Sequence, residues 1–206
     1  MSEPGIELPW VAGGFAVIYA DPPWRFEVRS DKGKGRSPEA YYDTMSLEDI
    51  CALRPARVAA ADAVLLMWCT EPLLKRGLQV IEAWGFEYKT FGFTWVKTRG
   101  DALFLDPTGG WHFGTGYWTR ANPEICLLAT RGAPKRLNAD VPELVVAPVG
   151  RHSQKPAEVY ERIERLVAGP YLELFARNSR PGWSSWGNQV DSGPGARRWS
   201  SDGGPG

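Results

Sequence analysis

Histidine is nearly missing from the chain. His112 and His152 are the only two in 206 residues, which excludes a histidine-rich metal centre. Cysteine is scarce as well: Cys51, Cys69 and Cys126 are odd in number and scattered, with no CxxC pair. That argues against a disulfide framework and against a thiolate zinc site. Net charge is absent, because 24 Lys and Arg balance 24 Asp and Glu, so any affinity for nucleic acid must come from a local patch. No apolar run reaches the ~18 residues of a membrane span. The opening MSEPGIELPW carries no basic-then-apolar leader pattern, and the expectation is a cytoplasmic protein with no membrane segment. Apolar and charged residues, at 43% and 23%, exclude wholesale disorder. What the chain has in excess is tryptophan. Ten of them, beside seven tyrosines and eight phenylalanines, serve either stacking surfaces or a large core.

The apolar run Phe15-Ala-Val-Ile-Tyr-Ala20 ends at Asp21 and then Pro22-Pro23, which reads as a buried strand with an acid at its carboxyl end. Ser46 before Leu-Glu-Asp49 is an N-cap for a short helix over 46–53, with Asp49 at the capping-box position. Ala63 to Cys69 is a second buried strand, and a helix runs from Thr70-Glu-Pro72 to Trp84, where Gly85 stops it. Further strands are expected over 88–96, 125–130, 144–149 and 171–176, and a helix over 155–168 with Val159, Ile163, Leu166 and Val167 on its apolar face. Residues 25–44 and 98–121 read as long loops. The expected organisation is a single domain over 1–190 and a disordered Gly/Pro/Ser-rich tail over 191–206.

Strands alternating with helices predict an α/β fold with a mostly parallel sheet and helices on both faces. Ligands in such sheets bind beyond the carboxyl ends of strands. Two of the expected strands end in chemistry: Asp21-Pro-Pro-Trp24 after the first and Arg177-Asn178 after the last. Far apart in sequence, they can face one crevice.

Asp21-Pro22-Pro23-Trp24 is compact and chemically specific. Paired prolines fix φ and leave both carbonyls without neighbouring N–H donors, so a rigid acceptor surface sits beside a carboxylate and a flat indole. An aromatic amine held there can give one hydrogen to Asp21 and the other to the Pro22 carbonyl. Such bonds draw the amine toward tetrahedral geometry and localise its lone pair as attack begins. The plainer use of the tetrapeptide is a strand-terminating Asp at a Pro-Pro turn.

The order of motifs extends this reading. YADPPWRF is followed by Tyr42-Asp-Thr-Met-Ser46, Val64-Leu-Leu-Met-Trp68, Thr94-Trp-Val-Lys97, Gly116-Tyr-Trp118 and Glu124-Ile-Cys-Leu-Leu. Then come His152-Ser-Gln-Lys-Pro156, Glu173-Leu-Phe-Ala-Arg177, Pro181-Gly-Trp183 and Trp186-Gly-Asn-Gln189. Over roughly residues 15–190 the chain resembles the MT-A70 family of N6-adenine methyltransferases. The resemblance implies a Rossmann-like fold in permuted order, the catalytic strand first and the cofactor strand last, with S-adenosylmethionine as cofactor and no metal. It further implies a minimal, prokaryote- or phage-type catalytic core.

What the resemblance implies for single residues follows the motifs. Asp21 and Pro22 would hold the target amine, Pro23 shape the turn and Trp24 line the base pocket. Tyr42 and Glu124 would lie at the substrate; without the family, Tyr42 is a loop aromatic and Glu124 a surface acid. Lys155 would sit between cofactor and target base. Glu173, Leu174 and Phe175 form the strand under the cofactor, where Glu173 in an apolar strand needs a partner. Arg177 and Asn178 would contact the ribose or adenosine end, and Asn188 and Gln189 its edge. One departure stands out: Arg177 is followed by Asn178-Ser179, where the RNA-modifying relatives carry a histidine.

Residues 25–36 hold five bases, Arg25 and Arg36 among them, against two acids, and residues 89–136 hold seven bases, including Lys97 and Arg120, against three acids. Both stretches flank the expected pocket, so phosphate binding by Arg25, Arg36 and Arg120 is expected. Trp111, Tyr117 and Trp118 are candidate stacking rings, with core packing the other use for Trp118. His112 reads as a hydrogen-bonding loop residue. The expected partner is nucleic acid, DNA before RNA, with a homodimer or second subunit extending the groove. Two other readings compete: a catalytically silent nucleic-acid-binding partner, and a base deaminase, whose PCxxC zinc signature the sequence lacks.

Overall fold

The computed structural model describes residues 7–25, 44–100, 110–114, 116, 118–150, 154–188, 190 and 196–197. Its elements are β1 (Phe15–Ala20), α1 (Leu47–Ala52), β2 (Ala59–Cys69), α2 (Leu74–Ala83), β3 (Glu87–Thr98) and β4 (Glu124–Arg131). They are followed by β5 (Leu144–Pro148), α3 (Glu158–Leu166), β6 (Tyr171–Leu174), β7 (Trp183–Trp186) and β8 (Ala196–Arg197). No helix among the described residues is long and apolar enough to cross a membrane.

The strands form an eight-stranded sheet in the order β5-β3-β4-β2-β1-β6-β7-β8. Every neighbouring pair is parallel except those of β4, which runs against both β2 and β3. The sheet is therefore mostly parallel, as expected, with one reversed strand. The reversal has a local cause: among the described residues no helix lies between β3 and β4, and adjacent strands joined without a crossover must be antiparallel. Its consequence is positional, because Glu124, the first residue of β4, arrives at the same edge as the last residues of the parallel strands.

Alternation along the central strands builds two cores. Ile18 and Ala20 of β1, with Leu65, Met67 and Cys69 of β2, pack against Ile50 of α1 and Val80 and Ile81 of α2. Val17 and Tyr19, with Val64, Leu66 and Trp68, pack on the other face against Val159 and Ile163 of α3. Helices thus cover both faces and the sheet is Rossmann-like. At the centre, β1 and β6 are parallel neighbours with Tyr19 opposite Glu173, which brings the first strand and the cofactor-strand candidate side by side.

Most of the tryptophans go to the core. Trp68, Trp84, Trp95 and Trp186 are fully buried, and a buried indole N–H needs an acceptor. Trp84 gives its N–H to the Ile50 carbonyl at 2.7 Å, tying α2 to α1, and Trp95 gives its own to the Ala147 carbonyl at 2.9 Å. Trp118 is the opposite case, 93% exposed on the segment between β3 and β4.

The local signals act as the residue types require. Ser46 accepts from the Asp49 N–H and caps α1. Gly85 takes φ +76° after α2, where its N–H and that of Phe86 bond back to Glu82 and Ile81. Differences appear at the ends of elements. The expected 155–168 helix begins at Glu158, and the segment at Thr70 is first a 3-10 turn over Glu71–Leu73. The last long strand stops at Leu174, because Phe175 turns into the left-handed region at φ +63°. Strand β7 was not anticipated, since four residues reading Trp-Ser-Ser-Trp show too little alternation to be recognised. Within the tail expected to be disordered, Ala196 and Arg197 pair with Ser185 and Trp186 and extend the sheet.

Candidate active site

Asp21 follows the last residue of β1 at the carboxyl edge of the sheet. The two prolines behind it end the strand and present the acid, and the turn is then tied down. The Trp24 N–H donates to the Pro22 carbonyl at 2.8 Å, and the Met45 N–H to the Pro23 carbonyl at 2.9 Å. This corrects one expectation, for neither proline carbonyl lacks a donor; the Pro22 oxygen keeps a second lone pair for another. Met45 belongs to the Tyr-Asp-Thr-Met-Ser segment, so the first two motifs are joined by backbone pairing. The Trp24 ring is buried with the α1–α2 core, its indole N–H on the Trp68 carbonyl at 3.2 Å. It braces the turn from behind.

Lys155, just before α3, reaches back to this carboxylate. Its Nζ donates to Asp21 Oδ1 at 2.8 Å and Oδ2 at 2.7 Å, and lies 3.0 Å from Glu124 Oε1. The other Glu124 oxygen is 2.8 Å from Lys97 Nζ at the end of β3. Four charges therefore alternate in a row: Asp21, Lys155, Glu124, Lys97. Burial would lower the Lys155 pKa, yet Asp21 and Glu124 outweigh it and hold the ammonium above its ordinary range. Burial likewise would raise Glu124, and Lys155 and Lys97 together bring it below the ordinary 4.5. Lys155 and Glu124 are thus held in their charged forms by the groups on either side of them.

A cavity of about 310 Å³ opens beside Asp21. Lys155, Tyr160 and Glu173 form one wall and Phe175, Arg177 and Asn178 another. Burial pushes the Glu173 carboxyl up to about 7, although the Tyr160 hydroxyl donates to it at 2.8 Å. The Arg180 guanidinium lies over the Tyr160 ring at 4.7 Å. Phe175 is placed by its left-handed backbone and meets the buried Trp186 edge-on at 5.6 Å. Here Gly187 is required, because a Cβ on it would overlap the Ala176 carbonyl oxygen. The cavity falls at the lower end of the ~300–1,000 Å³ of small-molecule sites. Two carboxylates, two guanidinium groups and an aromatic ring suit an elongated ligand carrying both charges.

The remaining expected residues divide. Leu174 is buried in the core rather than at the cavity, and Asn188 is exposed beyond β7. Arg25 is exposed beside Trp24. Arg120 donates from Nε to the Gly114 carbonyl at 2.7 Å and from Nη2 to that of Phe113 at 3.1 Å, so it folds its own loop. Tyr42, Arg36, Tyr117 and Gln189 lie outside the described residues. Sequence reasoning placed Lys97 only among the bases flanking the pocket, and it missed Tyr160 and Arg180. Lys97 carried one signal, a cation at the end of an aromatic strand; Tyr160 and Arg180 carried none.

The MT-A70 family profile matches residues 15–189. The chain belongs to the MT-A70 family. Type II methyltransferase M.MunI of Mycoplasma sp is 31% identical over 194 residues, covering 85% of this chain and 78% of that protein. The N(6)-adenosine-methyltransferase MT-A70-like protein of Drosophila melanogaster is 35% identical over 185 residues, and the N(6)-adenosine-methyltransferase catalytic subunit METTL3 of Homo sapiens 33% over 185 residues. Both cover 88% of this chain, which spans only 28% and 29% of their respective lengths. Membership makes the chain an N6-adenine methyltransferase at the level of the family.

Proposed function

We propose that this MT-A70 protein transfers the methyl group of S-adenosylmethionine to the N6 amine of adenine in DNA. The observation that carries the reading is the juxtaposition of Asp21, fixed at the tip of β1 by Lys155, with the charged cavity beside it. The cavity fits the cofactor by its donor set: Asp21 and Glu173 for its cationic portion, Arg177 and Asn178 for its hydroxyl groups, Phe175 for packing. When bound, the cofactor supplies a methyl already activated by sulfonium, whose C–S bonding electrons leave with sulfur.

The chain's own residues then have positional work. Asp21 accepts one hydrogen of the amine and the Pro22 carbonyl oxygen the other, which directs the nitrogen lone pair at the methyl carbon. As the N–C bond forms, nitrogen becomes cationic, and the Asp21 carboxylate stabilises that charge and stands ready for the proton that nitrogen sheds. Lys155 orients Asp21 through bonds to both of its oxygens. The buried Trp24 holds the turn to the sheet. Holding two reactants in attack geometry supplies up to about 7–11 kcal/mol in favourable cases.

DNA is preferred because a type II methyltransferase is similar to 85% of the chain and Arg177 is followed by Asn178-Ser179 in place of the histidine of the RNA-modifying relatives. A base inside a duplex cannot reach such a pocket, so the target adenine is single-stranded or flipped out. The test supplies methyl-labelled S-adenosylmethionine with matched single-stranded DNA, duplex DNA and RNA, followed by nucleoside mass spectrometry. The reading expects label in N6-methyldeoxyadenosine. Label confined to N6-methyladenosine from RNA would replace DNA by RNA, and no label despite cofactor binding would favour a silent binding partner.

A further inference from the structure

Glu124 stands between two ammonium groups, and only one of them touches Asp21. Lys155 occupies Glu124 Oε1 and both oxygens of Asp21, while Lys97 occupies Glu124 Oε2 and does not line the cavity. The side chains of Lys155 and Glu124 are 8% and 6% exposed, so neither charge is replaced by water if its partner leaves. Lys97 is held in register. Its N–H donates to Asn122 Oδ1 at 3.0 Å, its carbonyl accepts from Asn122 Nδ2 at 2.8 Å, and its ammonium lies 4.9 Å from the Trp95 ring centroid. Trp95 is the register partner of Glu124 in the β3–β4 pair.

This geometry sets up a competition. Two carboxylates, Asp21 and Glu124, share the Lys155 ammonium. An amine that is to donate to Asp21 takes the remaining lone pair of an oxygen already bonded to Lys155, and the strength of that acceptor depends on how strongly Glu124 draws Lys155. Lys97 governs that draw by neutralising the far side of Glu124. We propose that Lys97 is a positioning residue for the methyl transfer: acting through Glu124, it sets where the Lys155 ammonium rests and so how Asp21 is presented to the amine.

The inference rests on the N6-amine reading for its consequence on turnover. Among the described residues, the titratable groups facing Glu124 are Lys97 from β3, Lys155 from the segment before α3, with Asp21 behind it, and the thiols of Cys69 on β2 and Cys126 on β4. Burial raises both thiols, Cys69 to about 12, so they stay neutral and supply no competing charge. Without Lys97, one cation rather than two opposes the desolvation of Glu124, and the carboxyl takes a proton at a higher pH. Protonated Glu124 no longer attracts Lys155, which then rests wholly on Asp21 and weakens it as the acceptor the amine needs.

The test compares Lys97→Met, Lys97→Gln and Lys97→Arg with wild type, Glu124→Gln and the Lys97→Met/Glu124→Gln double variant. The readouts are kcat and KM across pH and a carbon-13 carboxyl titration of Glu124 by NMR. In Lys97→Met kcat falls by about 10–100-fold at pH values below the raised Glu124 midpoint, the scale of a small misplacement of a reacting group, with cofactor KM unchanged. The acid limb and the Glu124 midpoint both move up by about one to three pH units, the effect of losing an opposite charge at contact. Lys97→Arg restores both, and the double variant is no slower than Glu124→Gln alone. Lys97→Gln gives the same readings should the methionine variant fold poorly. An unmoved acid limb and titration in the neutral variants overturns the proposal, as does a double variant whose loss is the product of the single losses. A wild-type protein that transfers no methyl would fail the functional reading instead, while the Glu124 titration would still decide the part of Lys97.

Discussion

Lys155 donates to both carboxylate oxygens of Asp21, at 2.8 and 2.7 Å, across 134 residues of sequence. A strand end and a pre-helical segment are joined there by charge, and the same ammonium reaches Glu124 at 3.0 Å. One cation thus bridges two acids, Glu124 buried and Asp21 half-buried, at the edge where β1, β4 and α3 meet.

Lys155→Met removes that cation and leaves Asp21 and Glu124 facing each other. Breaking such a buried pair costs about 3–5 kcal/mol, and urea unfolding at pH 7 should show a loss of that order. The pH dependence has a definite sign. Glu124 titrates below its ordinary 4.5 in the folded protein, so its stabilisation is present above that value and lost as pH falls through the lower folded one. Wild type should lose stability in that acid window, and Lys155→Met should show little of that loss.

Glu173 has the opposite sign. Its folded pKa stands at about 7 against an ordinary 4.5, chiefly through burial, so the folded protein binds the proton more tightly than the unfolded chain. Stability therefore falls as pH rises from about 4.5 to 7, in total by on the order of 3 kcal/mol. Glu173→Gln still accepts the Tyr160 hydroxyl and does not ionise. Thermal unfolding from pH 5 to 8 should show wild type falling relative to Glu173→Gln, with the gap closed at the acid end; parallel curves would refute the assignment.

Asn122 clamps the ends of the segment between β3 and β4, with its side chain bonded to both backbone groups of Lys97 and, at 2.7 Å, to the His112 carbonyl. Asn122→Ala should cost about 1–3 kcal/mol, a few net hydrogen bonds. Limited proteolysis should cut after Lys97 or Arg99 faster than in wild type, and an unchanged cutting rate would show that the clamp does not order the segment.

How far the fold could be read varied with the signal. β1 and β2 were legible because each is an apolar run bounded by breakers, and α1 because Ser46 and Asp49 form a cap. Asp21-Pro-Pro-Trp24 was legible as a strand-end site because proline stops the ladder. The direction of β4 was not read, although the lack of a helical pattern between Thr98 and Glu124 implied it. That omission hid the meeting of Glu124 with Lys155 and Lys97, which depends on the reversed strand. Tyr160 looked like any residue of an amphipathic helix; only the packing of α3 on β6 turns it toward Glu173. Phe175 carries no signal of its left-handed backbone, since the turn is imposed by the close approach of Gly187 to Ala176.

The central claim is that Asp21 handles the amine rather than the cofactor alone. It is tested most directly by single-turnover transfer from methyl-labelled S-adenosylmethionine to single-stranded DNA, wild type against Asp21→Asn, with cofactor affinity measured in parallel by calorimetry. Wild type is expected to give N6-methyladenine and Asp21→Asn to lose at least about 100–1,000-fold, the scale of one lost charge-stabilising group, with cofactor affinity changed by only a few-fold. Undiminished N6-methyladenine from Asp21→Asn would contradict the claim.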